Sequence, residues 1–466
     1  MLKEYFWISK KERSKDASKV GLVQLALPLI LESIMRSTVG LVDVVFLSNI
    51  SDEVVSAVSI SNQFIMFCTI IASSMATGAT VCINQAIGMK NMQKVNLLAT
   101  IALSANFLTG IFFGLIFLIF PQVPLSIMSL DESAINVACQ YLRIAGGMMF
   151  VQCAEIILVN LCRSTGMIKA PLFINFIANI VNVIGNYIAV FHREWVWNLD
   201  PVIGVAAATV LSRVAALIIA VILTKKNGIR FSLKYLKPFP KEDFKLVLSL
   251  GIPGGINNVA YSLSQIVTTS IISVLSLTMV AAKVYVQNIV QYVAIVGMTF
   301  SQASAMMVGY RLGADKFEEA KKVCSIVVRI AVLSNCFFSL IVLLIHKPLL
   351  YLFTEDPIII GIAGGIFIID FFVEIGRALN NCLAGALQAA GDIKFQLFIN
   401  QGSAWLIAVG CSFLFGIVFN LGLYGVWLAF ACDELIRGSI LLFRWKSNKW
   451  EKSAKAKRKI IASNRT

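Results

Sequence analysis

Charge and histidine are both scarce in this chain: 14% of its 466 residues are charged, and only His192 and His346 are histidine. Both histidines fall between apolar runs, away from any His, Cys or Asp cluster, which argues against a structural zinc or a histidine base. None of the ten cysteines forms a CxxC pair, and most sit inside apolar runs, where a thiol acts as a small hydrophobe and not as a disulfide partner or metal ligand. The sequence has no phosphate loop, dinucleotide fingerprint or nucleophile elbow, so no bound cofactor and no enzyme activity are expected. A secretory signal is not expected either, because the first apolar run is too long and no small-residue cleavage site follows it.

Apolar residues are plentiful, at 58% of the chain with a positive mean hydropathy, which excludes an ordinary soluble domain. Runs of 18 or more apolar residues recur along the whole length, each enough to cross about 30 Å of hydrocarbon as a helix. Twelve spans are expected, at 20–47, 54–86, 96–120, 135–161, 170–191, 201–223, 246–274, 279–308, 324–345, 357–387, 395–420 and 422–443. The fold class is therefore an all-α polytopic membrane protein.

The net charge of +15 is unevenly placed. Lys and Arg crowd into the amino terminus, the loop from Lys225 to Lys245, alternate turns such as those holding Lys90, Arg163, Lys169, Arg311 and Lys394, and the carboxyl tail. The opposite loops are expected to hold only Arg193, Lys283 and Lys347, so the positive-inside rule puts both termini in the cytoplasm of a plasma (inner) membrane protein. The tail "WKSNKWEKSAKAKRK" reads as a juxtamembrane segment beside an anionic cytoplasmic leaflet, not as a nucleic-acid site. A monomer is expected.

The chain repeats itself. "MIKAPLFIN" at 167–175 returns as "DIKFQLFIN" at 392–400, an offset of 225 residues that also relates Pro28 to Pro253 and Gly88 to Gly313. Two six-helix bundles related by a pseudo-twofold axis are expected, at 20–224 and 245–444, flanked by a basic amino terminus (1–19), a basic linker (225–244) and a basic tail (445–466). Six is an even number, so the halves enter from the same side and face each other across a cleft that could open to either side.

Charge inside hydrocarbon costs about 2.5–3.5 kcal/mol per residue, so each intramembrane charge needs a partner or a role. Glu32 and Arg36 are four apart and can pair along one helix face. Asp43 has no such local partner and is the leading candidate for a coupling residue. Asn175, Asn179, Asn182 and Asn186 share one stripe of a helix, which suits either helix packing or a hard cation, and Thr209 could add a hydroxyl. Asp43 could equally carry a proton. At the 225 offset Asp43 becomes Thr268, Asn182 becomes Ile407 and Asn186 becomes Cys411, which points to the amino-terminal half for ion coupling. Asp370, Glu374 and Arg377, and likewise Asp433, Glu434 and Arg437, have acid and base three or four apart and read first as ion pairs. Arg213 aligns with Glu434, so a pair between equivalent helices is conceivable. Gly110 with Gly114, Gly251 with Gly255 and Gly361 with Gly365 predict close helix contacts.

The segments "LALPLILESIMRSTVGLVDVVFLS", "RSTGMIKAPLFINFIANIVNVIGNY", "VIGVAAATVLSR", "LGIPGGINN" and "GRALNNCLAGALQAAGDIKF" together resemble multidrug and toxic compound extrusion (MATE) transporters over nearly all of both halves. The resemblance implies a secondary antiporter exporting organic, often cationic, compounds as sodium or protons run inward. On the matching positions Asp43 would be the cation-coupling carboxylate, with Asn182, Asn186 and Thr209 as neighbours. The chain departs from the family where some members have an aspartate at Asn186, others an acid at Asn257, and others an acid near Arg377. Glu32, Asn179, Glu374 and Arg377 remain secondary candidates. The other readings are a lipid-linked saccharide flippase of the same superfamily and, less well supported, a membrane enzyme or scaffold.

Overall fold

A computed structural model describes residues 21–126, 132–196 and 199–462, with the side chains at 36–44, 52, 132–133 and 196 outside the description. Every regular element among the described residues is a helix. The principal ones are α1 (Leu22–Ser48), α2 (Asp52–Gly88), α3 (Met92–Ile119), α4 (Glu132–Tyr141), α5 (Met149–Ser164), α6 (Ala170–Phe191), α7 (Pro201–Lys226) and α8 (Lys241–Leu275). They continue with α9 (Leu277–Gly313), α10 (Phe317–Leu344), α11 (Pro357–Ala389), α12 (Ile393–Val418), α13 (Gly422–Lys446) and α14 (Trp450–Ala462).

Local chemistry sets the helix ends. Asp200 and Asp356 each precede a proline at the first helical position and accept the amide N–H two residues on, at 2.8 Å in both cases. Asn91 and Ser276 cap α3 and α9 through the amides of Lys94 and Met279. Between α4 and α5 the chain runs through a π-helical turn, Leu142–Gly146, and bends by 46° before Met149.

Nine helices among the described residues are long and apolar enough to cross a bilayer, and counting the bent pair Ala134–Gly146 plus Met149–Ser164 as one span gives ten. Two of the twelve expected spans fall short of this for different reasons. The first, on α1, runs through 36–44, whose side chains lie outside the described residues. The last forms as the continuous helix α13, but Asp433, Glu434 and Arg437 interrupt its apolar run.

The duplication is visible in the backbone. Gly166 and Gly391, 225 apart, both take positive φ (86° and 75°) after a helix end. The next amide in each case reaches back five residues, Met167 to Cys162 and Asp392 to Leu387. Lys90 and Asp315, also 225 apart, share φ near 60° in the turns that leave α2 and α9. The side chains repeat too: Asn175 Nδ2 donates to Glu32 Oε1 at 3.3 Å, and at the equivalent positions Asn400 Nδ2 donates to Asn257 Oδ1 at 3.2 Å.

The chain forms two compact units. The first comprises Leu27–Ile83 and Asn91–Gly255. Its core gathers Val58, Leu125, Leu142, Met149 and Ala206. Here the expected close contact at Gly110 and Gly114 is found, because a Cβ at Gly110 would lie 2.4 Å from Phe150 Cα and one at Gly114 would lie 2.7 Å from Gly147 O. Gly251 likewise abuts the backbone of Ser74.

The second unit comprises Met1–Ala26, Asn84–Lys90 and Ile256–Thr466, described from residue 21. Within it the ends of α2 and α9 cross reciprocally. A Cβ on Gly88 would sit 2.1 Å from Tyr310 O, and one on Gly313 would sit 2.0 Å from Gln85 O. Since 85 and 310 are themselves 225 apart, each helix meets the other through the same pair of positions. Gly365 packs on Tyr424 as expected, whereas Gly361 has no neighbour within 4 Å, so the third small-residue pair is only half a contact.

One further expectation changes. Lys283 does not lie in an external loop: it sits inside α9, buried, with its ammonium donating to the Thr269 hydroxyl. Six residues of α9 precede it, whereas counting it among the loop charges places a lone lysine near a span boundary in water. The tail is an ordered helix through Ala462, with Trp450 stacked on Trp445 at 4.2 Å and Arg458 donating to Gly313 O. Residues 463–466 of the tail and the basic segment 1–19 lie outside the described residues.

Candidate functional site

The side chains of Asp43 and Arg36 lie outside the described residues, although the α1 backbone passes through both positions. The remaining predicted groups fall into two clusters in the first unit and one in the second.

On α6 the four asparagines divide. Asn175 joins Glu32, which is buried and receives two hydrogen bonds from Arg163 Nη2, at 2.9 and 3.1 Å. Arg163 also donates to Asn160 Oδ1 at 2.8 Å. Glu32 is thus held from another helix, a contact that the i,i+4 spacing to Arg36 gave no reason to expect. Deeper along α6, Asn186 Nδ2 donates to Asn182 Oδ1 at 3.4 Å, and both side chains are buried, while Asn179 is only half-buried. Apolar residues of α6 fill the turns between the two amides.

Small residues bring α7 close to α6. A Cβ on Gly185 would meet Ala208 Cβ at 2.6 Å, and one on Gly204 would meet Ala189 Cβ at the same distance. That contact fixes Thr209, the residue after Ala208. The Thr209 hydroxyl donates to Val205 O at 3.0 Å, leaving its oxygen lone pairs available. Thr209 lines a cavity of about 60 Å³ together with Asn62, Met148, Gln152 and Arg213. Ala145 of the π-helical turn and Met148 at the bend that follows form part of its wall. Sequence reading did not find Asn62, Gln152 or the buried Glu155 beside it, because no local pattern announces a π turn without proline.

Arg213 pairs with Glu155 within its own unit, at 3.6 Å, and Glu434 pairs with Arg437 in the other unit. Each of the two residues thus has a partner within its own unit. The reason is proximity: α5 packs on α7 and supplies an acid one helix away.

The second unit holds the densest charge cluster. Arg377 pairs with Glu374 and approaches Glu434 at 3.8 Å. Arg437 pairs with Asp433 at 3.0 Å and with Glu434 at 2.7 Å. Amides and an indole complete it: Asn335 donates to Glu374 at 3.0 Å, Asn380 to Glu434 at 3.0 Å and Trp427 to Asp370 at 3.1 Å, while Ser403 donates to Asp433. The expected ion pairing is thus observed within and between α11 and α13 for Glu374 with Arg377 and for Asp433 and Glu434 with Arg437, whereas Asp370 is held by Trp427 and not by an arginine. Three buried carboxylates, Glu374, Asp433 and Glu434, share two guanidiniums, an arrangement that fixes helix register at a desolvation cost. Asn335 joins this cluster from α10, an expected span in which no polar residue had been singled out. At the site aligned with Asp43, Thr268 is fully buried and donates to Ser264 O.

A polytopic helical protein with enclosed amide and carboxylate clusters fits the class of membrane transporters, and comparison with known proteins gives the family. The MatE family model matches residues 28–188 and 253–420, two stretches that begin 225 residues apart. The chain is 31% identical over 439 residues to "Uncharacterized transporter YisQ" of Bacillus subtilis, covering 94% of this chain and 96% of that one. It is 27% identical to "Probable multidrug resistance protein NorM" of Thermotoga maritima, with 93% of each chain covered. Among solved structures, an outward-facing multidrug resistance MATE family transporter matches with a TM-score of 0.81 at 17% identity, over 95% of this chain and 96% of that one. A transporter from Pyrococcus furiosus, described as having a binding pocket of reversed polarity, matches at 0.83 and 18% identity, over 93% and 96%. The chain belongs to the MatE family, the multidrug and toxic compound extrusion transporters.

Proposed function

We propose that the chain is a secondary active antiporter that exports organic, often cationic, compounds in exchange for inward Na+ or H+. Twelve spans form two six-helix bundles, 20–224 and 245–444, that alternate access to a shared path, and no cofactor beyond the coupling ion takes part. The observation that carries the reading is the buried Asn182–Asn186 pair on α6, which the second half replaces with Ile407 and Cys411. Amide oxygens in hydrocarbon suit a hard cation when a carboxylate completes the set, and Asp43 supplies that carboxylate, with Thr209 adding a hydroxyl oxygen. Glu32 and Asn179 flank this stripe, while Glu374 and Arg377 act as a structural counterpart in the second half.

The basic linker 225–244 and the basic tail favour a plasma (inner) membrane protein with both termini in the cytoplasm, against an anionic leaflet. It works as a monomer and binds no nucleic acid. Family membership and relatives named as probable multidrug resistance proteins support the substrate class. The test is substrate flux in proteoliposomes under separately imposed sodium and pH gradients. Gradient-driven flux should vanish in Asp43→Asn and fall in Asn186→Leu; unchanged flux in Asp43→Asn sinks the assignment.

A further inference from the structure

Arg213 is the one charged residue in α7 between Pro201 and Lys225. It is the thirteenth of 26 residues, about 20 Å from either helix end at 1.5 Å per residue, too deep for its side chain to reach an interface by bending along the helix. A guanidinium at that depth needs a partner. Glu155 lies 3.6 Å from Nη1, beyond hydrogen-bonding distance, so it balances charge without occupying the N–H fork. The Arg213 side chain is 42% exposed, and it lines the cavity with Thr209.

Two neighbours in that cavity present donors beside the acceptor oxygens of Thr209 and Gln152. Asn62 Oδ1 is taken by the Tyr141 hydroxyl, leaving the Asn62 amide nitrogen. Gln152 spends one N–H on Thr69 Oγ1 at 3.1 Å and keeps the other. A cation fits poorly against a guanidinium and two amide nitrogens, whereas a planar anion with two acceptor oxygens matches an arginine fork. Met148, Ile65 and Val151 supply an apolar wall beside it.

We infer that Arg213, with Asn62 and Gln152, forms a subsite for a carboxylate group on the transported compound, so that the substrates include molecules with an acidic end as well as an organic body. This rests on reading the chain as an exporter, but it concerns substrate recognition and needs no coupling ion. Arg213 sets specificity by holding the carboxylate, while Glu155 keeps the guanidinium poised when the subsite is open.

The experiment uses the purified full-length protein in detergent and two probes, a rhodamine with a free carboxylate and the methyl ester of the same dye, with binding read by fluorescence anisotropy and no gradient present. The wild type should bind the carboxylate dye roughly tenfold more tightly than the ester, the scale of one charge-assisted contact. Arg213→Gln should abolish that preference by weakening the carboxylate dye alone, and Arg213→Lys, which keeps the charge, should retain part of it. Unimpaired ester binding in both variants reports that the chain remains folded. A wild type without the preference, or a preference that survives Arg213→Gln, overturns the subsite. Loss of ion-driven flux in Asp43→Asn is read in a separate assay, so either idea can fail alone.

Discussion

Glu32 and Lys316 both belong to ion pairs, yet their environments differ enough to predict different costs. Glu32 is buried and faces Arg163, so Glu32→Ala leaves a guanidinium uncompensated and should cost about 3–5 kcal/mol of stability. The exposed pair of Lys316 and Glu319, three apart on one helix turn, should lose less than about 1 kcal/mol in Lys316→Ala. Denaturant unfolding of the solubilised protein, followed by tryptophan fluorescence, compares them. Arg437→Met belongs with Glu32→Ala, because it strands Asp433 and Glu434 together. At this scale the sequence was half legible. Acids and bases three or four apart on α11 and α13 could be paired from spacing, since the helix itself brings them together. The Glu32 partner could not, because Arg163 is 131 residues away and only packing joins them.

At the scale of helices, the reciprocal crossing makes a symmetrical prediction. Gly88→Ala and Gly313→Ala each drive a methyl into a backbone carbonyl, and overpacking of this kind costs about 1–3 kcal/mol. The two penalties should agree closely in thermal unfolding, since the contacts are copies of one another. Docking of α14 makes a pH prediction. Glu451 accepts hydrogen bonds from Lys321 and Lys455, which hold its carboxyl below the ordinary glutamate value. A depressed pKa stabilises the docked helix above the usual glutamate value of about 4.3, and the contribution disappears as pH falls through the lower folded value. Fluorescence of the stacked Trp445 and Trp450, isolated as the difference from Trp450→Phe, should therefore hold steady from neutral pH and change only below that range. Helix positions were readable because apolar length and capping residues are local signals. The bend before Met149 was not, since a π turn depends on how the helix packs and carries no residue signature here.

For the molecule as a whole, the placement of the cations predicts an orientation. A membrane-impermeant maleimide applied to intact cells should label Glu194→Cys, in the turn after α6, and spare Lys234→Cys, in the basic linker. Seven of the ten native cysteines are buried and should add little background. Labelling of Lys234→Cys from outside would invert the topology. The repeat was legible at this scale because three landmarks shared one offset, and the paired turns at Gly166 and Gly391 carry it into the backbone. Lys283 shows where counting charges fails: a total treats every lysine as solvated, while this one is enclosed beside Thr269.

The crossing of α2 with α9 also bears on descent. In a half-length chain paired with its own copy, a single glycine would serve both sides of such a contact, and any change there would strike twice. In one chain that carries both halves, the two positions can change separately. Each glycine in the present chain answers to a carbonyl encoded 225 residues from its own equivalent, so either half can now vary at the crossing only as far as the other allows.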